Sequence, residues 1–184
     1  MTATEKRWRI NRPDEQLVKN LVDGLKISSI SAKILVARGF TTIEEARAFL
    51  MIDEHAIHDP FEMHGMKEAV ERINKAIQNR EKILIYGDYD ADGITSTTVM
   101  KTALQDLGAD VSHMIPNRFT DGYGPSERLF REAHEKGYQL IITVDNGIAG
   151  NKEVQLAKEL GMDVIITDHH EPGETLPPAD VIIH

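Results

Sequence analysis

The stretches YQLIITV (138–144) and MDVIIT (162–167) constrain this chain most. Each is a short run that is apolar on successive residues, so both of its faces must be covered. They belong to a series. KILIYG (82–87), ADVSHMI (109–115) and DVIIH (180–184) read as strands of the same kind. Between them lie helical patterns of about 12 residues. One runs from 94 to 107 with Val99, Met100, Ala103, Leu104 and Leu107 as its stripe. The others are PSERLFREAHEKG (125–137) and GNKEVQLAKELG (150–161). Strands alternating with helices predict an α/β fold, a mainly parallel sheet flanked by helices.

A small helical region precedes the sheet. DEQLVKNLVDGL is amphipathic, SISAKILVARGF ends at Gly39, and TTIEEARAFL has Thr41 or Thr42 as its N-cap. Residues 51–65 form a connector with Pro60 and Gly65, and residues 66–80 form a helix. The expected division is 1–80 for the helical region and linking helix, and 81–184 for the α/β domain. DVIIH reads as a strand on the last residues, so that domain is expected to be truncated at its C-terminal end.

There are no cysteines in the 184 residues, which excludes disulfides and thiolate metal sites and fits a reducing compartment. No run is long and apolar enough for a membrane span, and MTATEKRWRINRPDE lacks the apolar core of a signal peptide. A cytoplasmic monomer is expected. The formal net charge of -9 gives no basic footprint for nucleic acid. Bound divalent cations would reverse the local sign where it matters.

In open α/β sheets, sites form beyond the carboxyl ends of the strands. Three acidic clusters fall there. Asp88, Asp90 and Asp92 follow KILIYG in YGDYDADGITS (86–96). Asp145 follows LIITV in VDNGI, and Asp168, His169 and His170 follow VIIT. Carboxylates this close repel one another unless a cation sits among them. A calcium loop of the D-x-D-x-D-G type needs glutamate at its twelfth position, and Val99 stands there. A dinucleotide turn needs G-x-G-x-x-G, and this one is full of carboxylates. Acidic turns that only cap helices explain one cluster more readily than three. Oxygen ligands with imidazoles suit manganese or magnesium, and two such ions about 4 Å apart perform phosphoryl chemistry.

YGDYDADGITS, VDNGI and DHH resemble the first three motifs of the DHH phosphoesterase superfamily. With PNRFTDGYGPS (116–126), DYDADG is similar to the RecJ-type single-stranded-DNA exonucleases, and SAKILVARGFTTIEEARAFL resembles the helices before their catalytic domain. The resemblance spans roughly residues 25–184. It implies that Asp90 binds one metal and Asp92 the other, that Asp145 bridges both, and that His169 completes the ligand set of the second metal. His170 would face the scissile phosphate. Asp88 would be a ligand through water or a support of the loop, since Tyr86 stands where related enzymes have a histidine. Arg118 would grip a phosphate, Tyr123 would stack on a base or simply pack, and Ser96 or Thr95 would bond a phosphate oxygen or cap the helix. A further metal aspartate and a second domain would lie beyond residue 184, leaving this chain weakly active or inactive by itself.

The implied function is metal-dependent hydrolysis of single-stranded DNA, 5′ to 3′, in DNA repair and recombination, with Mn2+ or Mg2+ as cofactor and other repair proteins as possible company. The alternatives are a DHH enzyme acting on short RNA, cyclic dinucleotides or pyrophosphate, and a non-catalytic DHH scaffold. Of the remaining histidines, His55, His58 and His64 lie in the connector with Asp53 and Glu54. His113 and His134 read as filler.

Overall fold

The structure is a computed structural model that describes residues 12–51 and 57–184. Asp53, Glu54 and His55 lie outside the described residues. The chain divides into two compact units between His58 and Asp59.

In the first unit, α1 (Glu15–Leu25), α2 (Ser29–Ala37) and α3 (Ile43–Leu50) enclose a small core of Val18, Leu21, Ala32, Leu35 and Ala46. Each start is set by a side chain. Asp14 caps α1 and Ser28 caps α2. Of the two threonines considered, Thr42 caps α3, and Glu45 returns the bond to complete a capping box.

In the second unit, α4 (Met66–Asn79) is followed by β1 (Lys82–Tyr86), α5 (Ala91–Asp106), β2 (Val111–Met114) and α6 (Glu127–Glu135). Then come β3 (Tyr138–Val144), α7 (Asn151–Glu159), β4 (Asp163–Thr167) and β5 (Val181–Ile183). The strands pair in the order β2-β1-β3-β4-β5, and every pair is parallel. The expected α/β class is the one observed.

The alternation of side chains along β1 shows why both faces are apolar. Ile83 and Ile85 join a core with Ala69 and Ala76 of α4 and Leu104 of α5. Leu84 and Tyr86 join another with Leu129, Phe130 and Ala133 of α6 and Val154 and Ala157 of α7. The expected division placed α4 within residues 1–80 as a linking helix. The buried alanines of this helix pack on the sheet, so it falls in the second unit and the division comes before it rather than at residue 80. The link from β4 to β5 carries Pro172, Pro177 and Pro178 and forms no helix.

An ion network anchors α4 at the opposite end of the strands from their carboxyl termini. Arg72 reaches Glu81 at 2.6 Å and Asp163 at 2.7 Å, and Lys158 reaches Asp163 at 3.0 Å. Among the described residues no helix is long and apolar enough to cross a membrane.

Candidate metal centre

The strand order reverses at β1. One connection leads outward to β2, and the next returns to β3 on the other side. The loops after β1 and β3 therefore part at their carboxyl ends, and a crevice opens between them. The loop after β4 borders the same place. All three acidic clusters meet there.

The first cluster is shaped by close packing of α5 on the end of β1. A Cβ on Gly93 would lie 2.5 Å from the Asp88 carbonyl oxygen, and one on Gly87 would collide with Thr97 Oγ1. Glycine at both positions lets the helix descend onto the loop and buries Asp88, 2% exposed. Asp90 is the N-cap, its Oδ1 accepting from the N–H groups of Asp92 and Gly93, both at 2.9 Å. The helix begins three residues earlier than its apolar stripe suggests, so Asp92 projects from its first turn.

Asp145 leaves β3 with φ of 61°, an uncommon conformation for a residue with a Cβ. Gly147 follows at φ 112° and completes the reversal. Asp145 is 7% exposed. Burial pushes its carboxyl above the ordinary range, and Asp92 and Asp90 add to this, although the hydrogen bond from His169 opposes it.

Asp168 is the keystone of the third cluster. Its Oδ2 accepts from Ile148 N at 2.9 Å, and its Oδ1 from the backbone N–H groups of His169 at 2.7 Å and His170 at 3.1 Å. The same Oδ1 lies 2.8 Å from His170 Nδ1. Burial works to raise the Asp168 pKa, but these bonds outweigh it and hold the carboxylate below its usual range. His170 is raised in turn, chiefly by its bond to Asp168. His169 points the other way, with Nε2 2.9 Å from Asp145 Oδ1 and 3.8 Å from Asp92 Oδ2.

Two sets of ligand atoms result. Asp88, Asp90 and Asp145 form one, and Asp145, His169 and His170 the other, with the atoms of each set within 4.8 Å of one another. Asp145 belongs to both. Among the described residues, Asp88 Oδ1 and Asp145 Oδ2 are buried without a hydrogen-bond partner. Buried carboxylate oxygens without donors are costly unless a cation takes the place of the donor. The donor set and these two oxygens fit hard divalent ions.

The predicted substrate residues are distributed unevenly. Tyr123 reaches the centre, its hydroxyl 3.1 Å from His170 Nε2. Arg118 stacks on Tyr89 with 5.1 Å from Cζ to the ring centroid. Ser96 turns back onto its helix and donates to the Asp92 carbonyl at 2.8 Å, and Thr95 does the same to Ala91. Tyr86 lies outside the centre, packed edge-on against Phe130 and donating to the Gly124 carbonyl at 3.1 Å. That bond pins the GYG segment.

Sequence reasoning assigned no role to Asp168, Asn146, Tyr89 or Phe119. The first two sit inside motifs that were read for their neighbours. Phe119 is 94% exposed on a loop braced by Asp121, which accepts from Asn117 N and from Arg128.

The profile of the DHH family, N-terminal domain, matches residues 82–184, more than half of the chain. The chain belongs to the DHH family. Among curated relatives, the DHH chain is 56% identical over 184 residues to the single-stranded-DNA-specific exonuclease RecJ of Bacillus subtilis, covering 100% of itself and 23% of that protein. Against the RecJ of Thermus thermophilus it is 34% identical over 179 residues, covering 97% of itself and 25% of the relative. A crystal structure of RecJ in complex with Mn2+ from Thermus thermophilus superposes with a TM-score of 0.67 at 31% identity, over 97% of this chain and 24% of that one. A crystal structure of exonuclease RecJ bound to manganese gives 0.62 at 40% identity, over 66% of this chain and 31% of that one. This DHH-family chain thus spans about a quarter of the length of the curated relatives it matches.

Proposed function

We propose that this chain carries most of a two-cation centre that hydrolyses phosphodiester bonds in single-stranded DNA. One observation carries the reading: two sets of ligand atoms share the single carboxylate of Asp145. Asp90 and Asp92 would serve one cation each, His169 would join Asp92, which lies 3.8 Å from it, and Asp145 would bridge, with His170, the remaining member of the second set, left for the phosphate. Asp88, buried at the back of the first set, is a ligand or holds the loop that supplies Asp90. The relatives solved with Mn2+ and Mg2+ support manganese or magnesium as the pair.

When bound, such a pair supplies a hydroxide near neutral pH and neutralises charge on the phosphate. The protein's own groups do the rest. Asp168 holds the imidazole of His170 toward the crevice, where it contacts the scissile phosphate. Tyr123 fixes the other side of that ring and offers its face to a base. Arg118, held on Tyr89, presents its guanidinium to a neighbouring phosphate. The names of the relatives support single-stranded DNA as substrate and exonucleolytic cleavage as the mode. Direction from 5′ to 3′ follows the family resemblance. The protein is then a cytoplasmic monomer working beside other DNA-repair proteins.

The test is degradation of end-labelled single-stranded DNA with manganese, by this chain and by any longer protein that carries it. Loss of cleavage with chelator and with Asp145→Ala supports the reading. Cleavage that survives both refutes it.

A further inference from the structure

We infer that Asn146 is a positioning residue whose side-chain amide sets the gap between the Asp88–Asp90 loop and Asp145, and through it the affinity for divalent cations. The inference rests on the two-cation reading above.

Asn146 is 1% exposed, directly after Asp145. Its Nδ2 donates to the Val144 carbonyl at 3.0 Å and to the Tyr86 carbonyl at 3.3 Å. Val144 is the last residue of β3, and Tyr86 is the last of β1. These strands are neighbours, and their ladder ends at the pair Tyr86–Thr143. Beyond that pair the two loops separate to form the crevice. One amide therefore ties together the strand ends that carry opposite walls of the first ligand set.

The chemistry allows little else at this position. An amide nitrogen has two protons, and the two carbonyls take both. The reversed orientation would set Oδ1 against two carbonyl oxygens. Aspartate would do the same and add another carboxylate to five already crowded there. An apolar residue would leave two buried carbonyls without their donor. The bond to Val144 also closes the turn in which Asp145 holds its φ of 61°. A loose turn would let the Asp145 carboxylate swing away from Asp88 and Asp90. Groups that orient metal ligands in this way typically contribute about 10–100-fold to metal affinity.

Two measurements test this on Asn146→Ala and Asn146→Ser, the second of which keeps one short donor. The first is calorimetric titration with manganese alone. Asn146→Ala should bind about 10–100-fold more weakly than wild type, with Asn146→Ser in between. The second is amide hydrogen exchange without metal. Exchange should quicken at residues 88–92 and 145–148 while α6 and α7 stay protected. Wild-type manganese affinity in folded variants, or exchange that quickens evenly across the sheet, overturns the inference. A purely structural role would lower the melting temperature without a local pattern. If Asn146→Ala fails to fold, Asn146→Ser carries both comparisons. A wild-type chain that takes up no manganese refutes the two-cation reading and the affinity claim with it. The exchange pattern then decides the clamp alone.

Discussion

Nε2 of His169 lies 2.9 Å from Oδ1 of Asp145, joining the loop after β4 to the loop after β3. His169 is the more open partner, with a side chain 69% exposed against 5% for Asp145. The pair is thus a buried anion with an accessible imidazole above it. On the two-cation reading, a cation arriving from solvent would meet both.

That burial has a cost that can be measured. Asp145 is desolvated, faces Asp90 and Asp92, and adopts a backbone conformation that asparagine tolerates well. Asp145→Asn in metal-free protein should therefore be more stable and melt at a higher temperature. On the two-cation reading, the same change in a longer protein that carries this chain should reduce nuclease turnover by several orders of magnitude. Differential scanning calorimetry beside an activity assay checks both, and a fall in Tm would show that the carboxylate is not under strain.

The two adjacent histidines should fail differently. His170 is turned toward Asp168 and Tyr123, and His169 toward Asp145 and Asp92. His169→Ala should weaken manganese binding directly. His170→Ala should slow cleavage with affinity close to wild type. Equal losses of affinity in calorimetric titrations would cancel this division of roles.

Gly93→Ala should destabilise the second unit by about 1–3 kcal/mol, because its Cβ meets backbone and no side chain can yield. Urea denaturation measures this. A neutral result would mean that α5 can rise off the loop at no cost.

The acid limb of stability should depend on Asp163. Burial acts to raise its pKa, but hydrogen bonds from Lys158 and Arg72 prevail and hold it below its ordinary value of 3.8. A depressed folded pKa contributes stability that is present above the unfolded value. It is lost as pH falls through the folded one. Asp163→Asn should thus be less stable at neutral pH and should lose less on acidification below about pH 4. Chemical denaturation at several pH values reads the difference. Parallel curves for the two proteins would remove Asp163 from the account.

Much of this was legible in the residues. Runs such as YQLIITV and MDVIIT, apolar on both faces, made a covered parallel sheet nearly unavoidable, and parallel connectivity brought the three acidic clusters to one edge. The start of α5 was misplaced because its first turn, Ala91, Asp92 and Gly93, carries no apolar stripe, and only the Asp90 cap announces it. Helix α4 was placed within residues 1–80 as a linking helix because an amphipathic pattern shows that a face is buried without showing against what. Ser96 illustrates another limit. A hydroxyl near a helix start serves its own backbone as readily as a ligand, and spacing alone does not separate the two. Asp168 bonds its neighbours His169 and His170, but its bond from Ile148 and the bond from Asn146 to the Tyr86 carbonyl join residues 20 and 60 positions apart, which no local pattern encodes.

The most direct test of the central claim is anomalous diffraction at the manganese absorption edge from crystals grown with manganese. Two peaks are expected in the crevice between β1 and β3, one contacted by Asp90 and Asp145, the other by Asp92, Asp145 and His169. A single peak that leaves Asp145 uncontacted, or none in this crevice, would contradict the account.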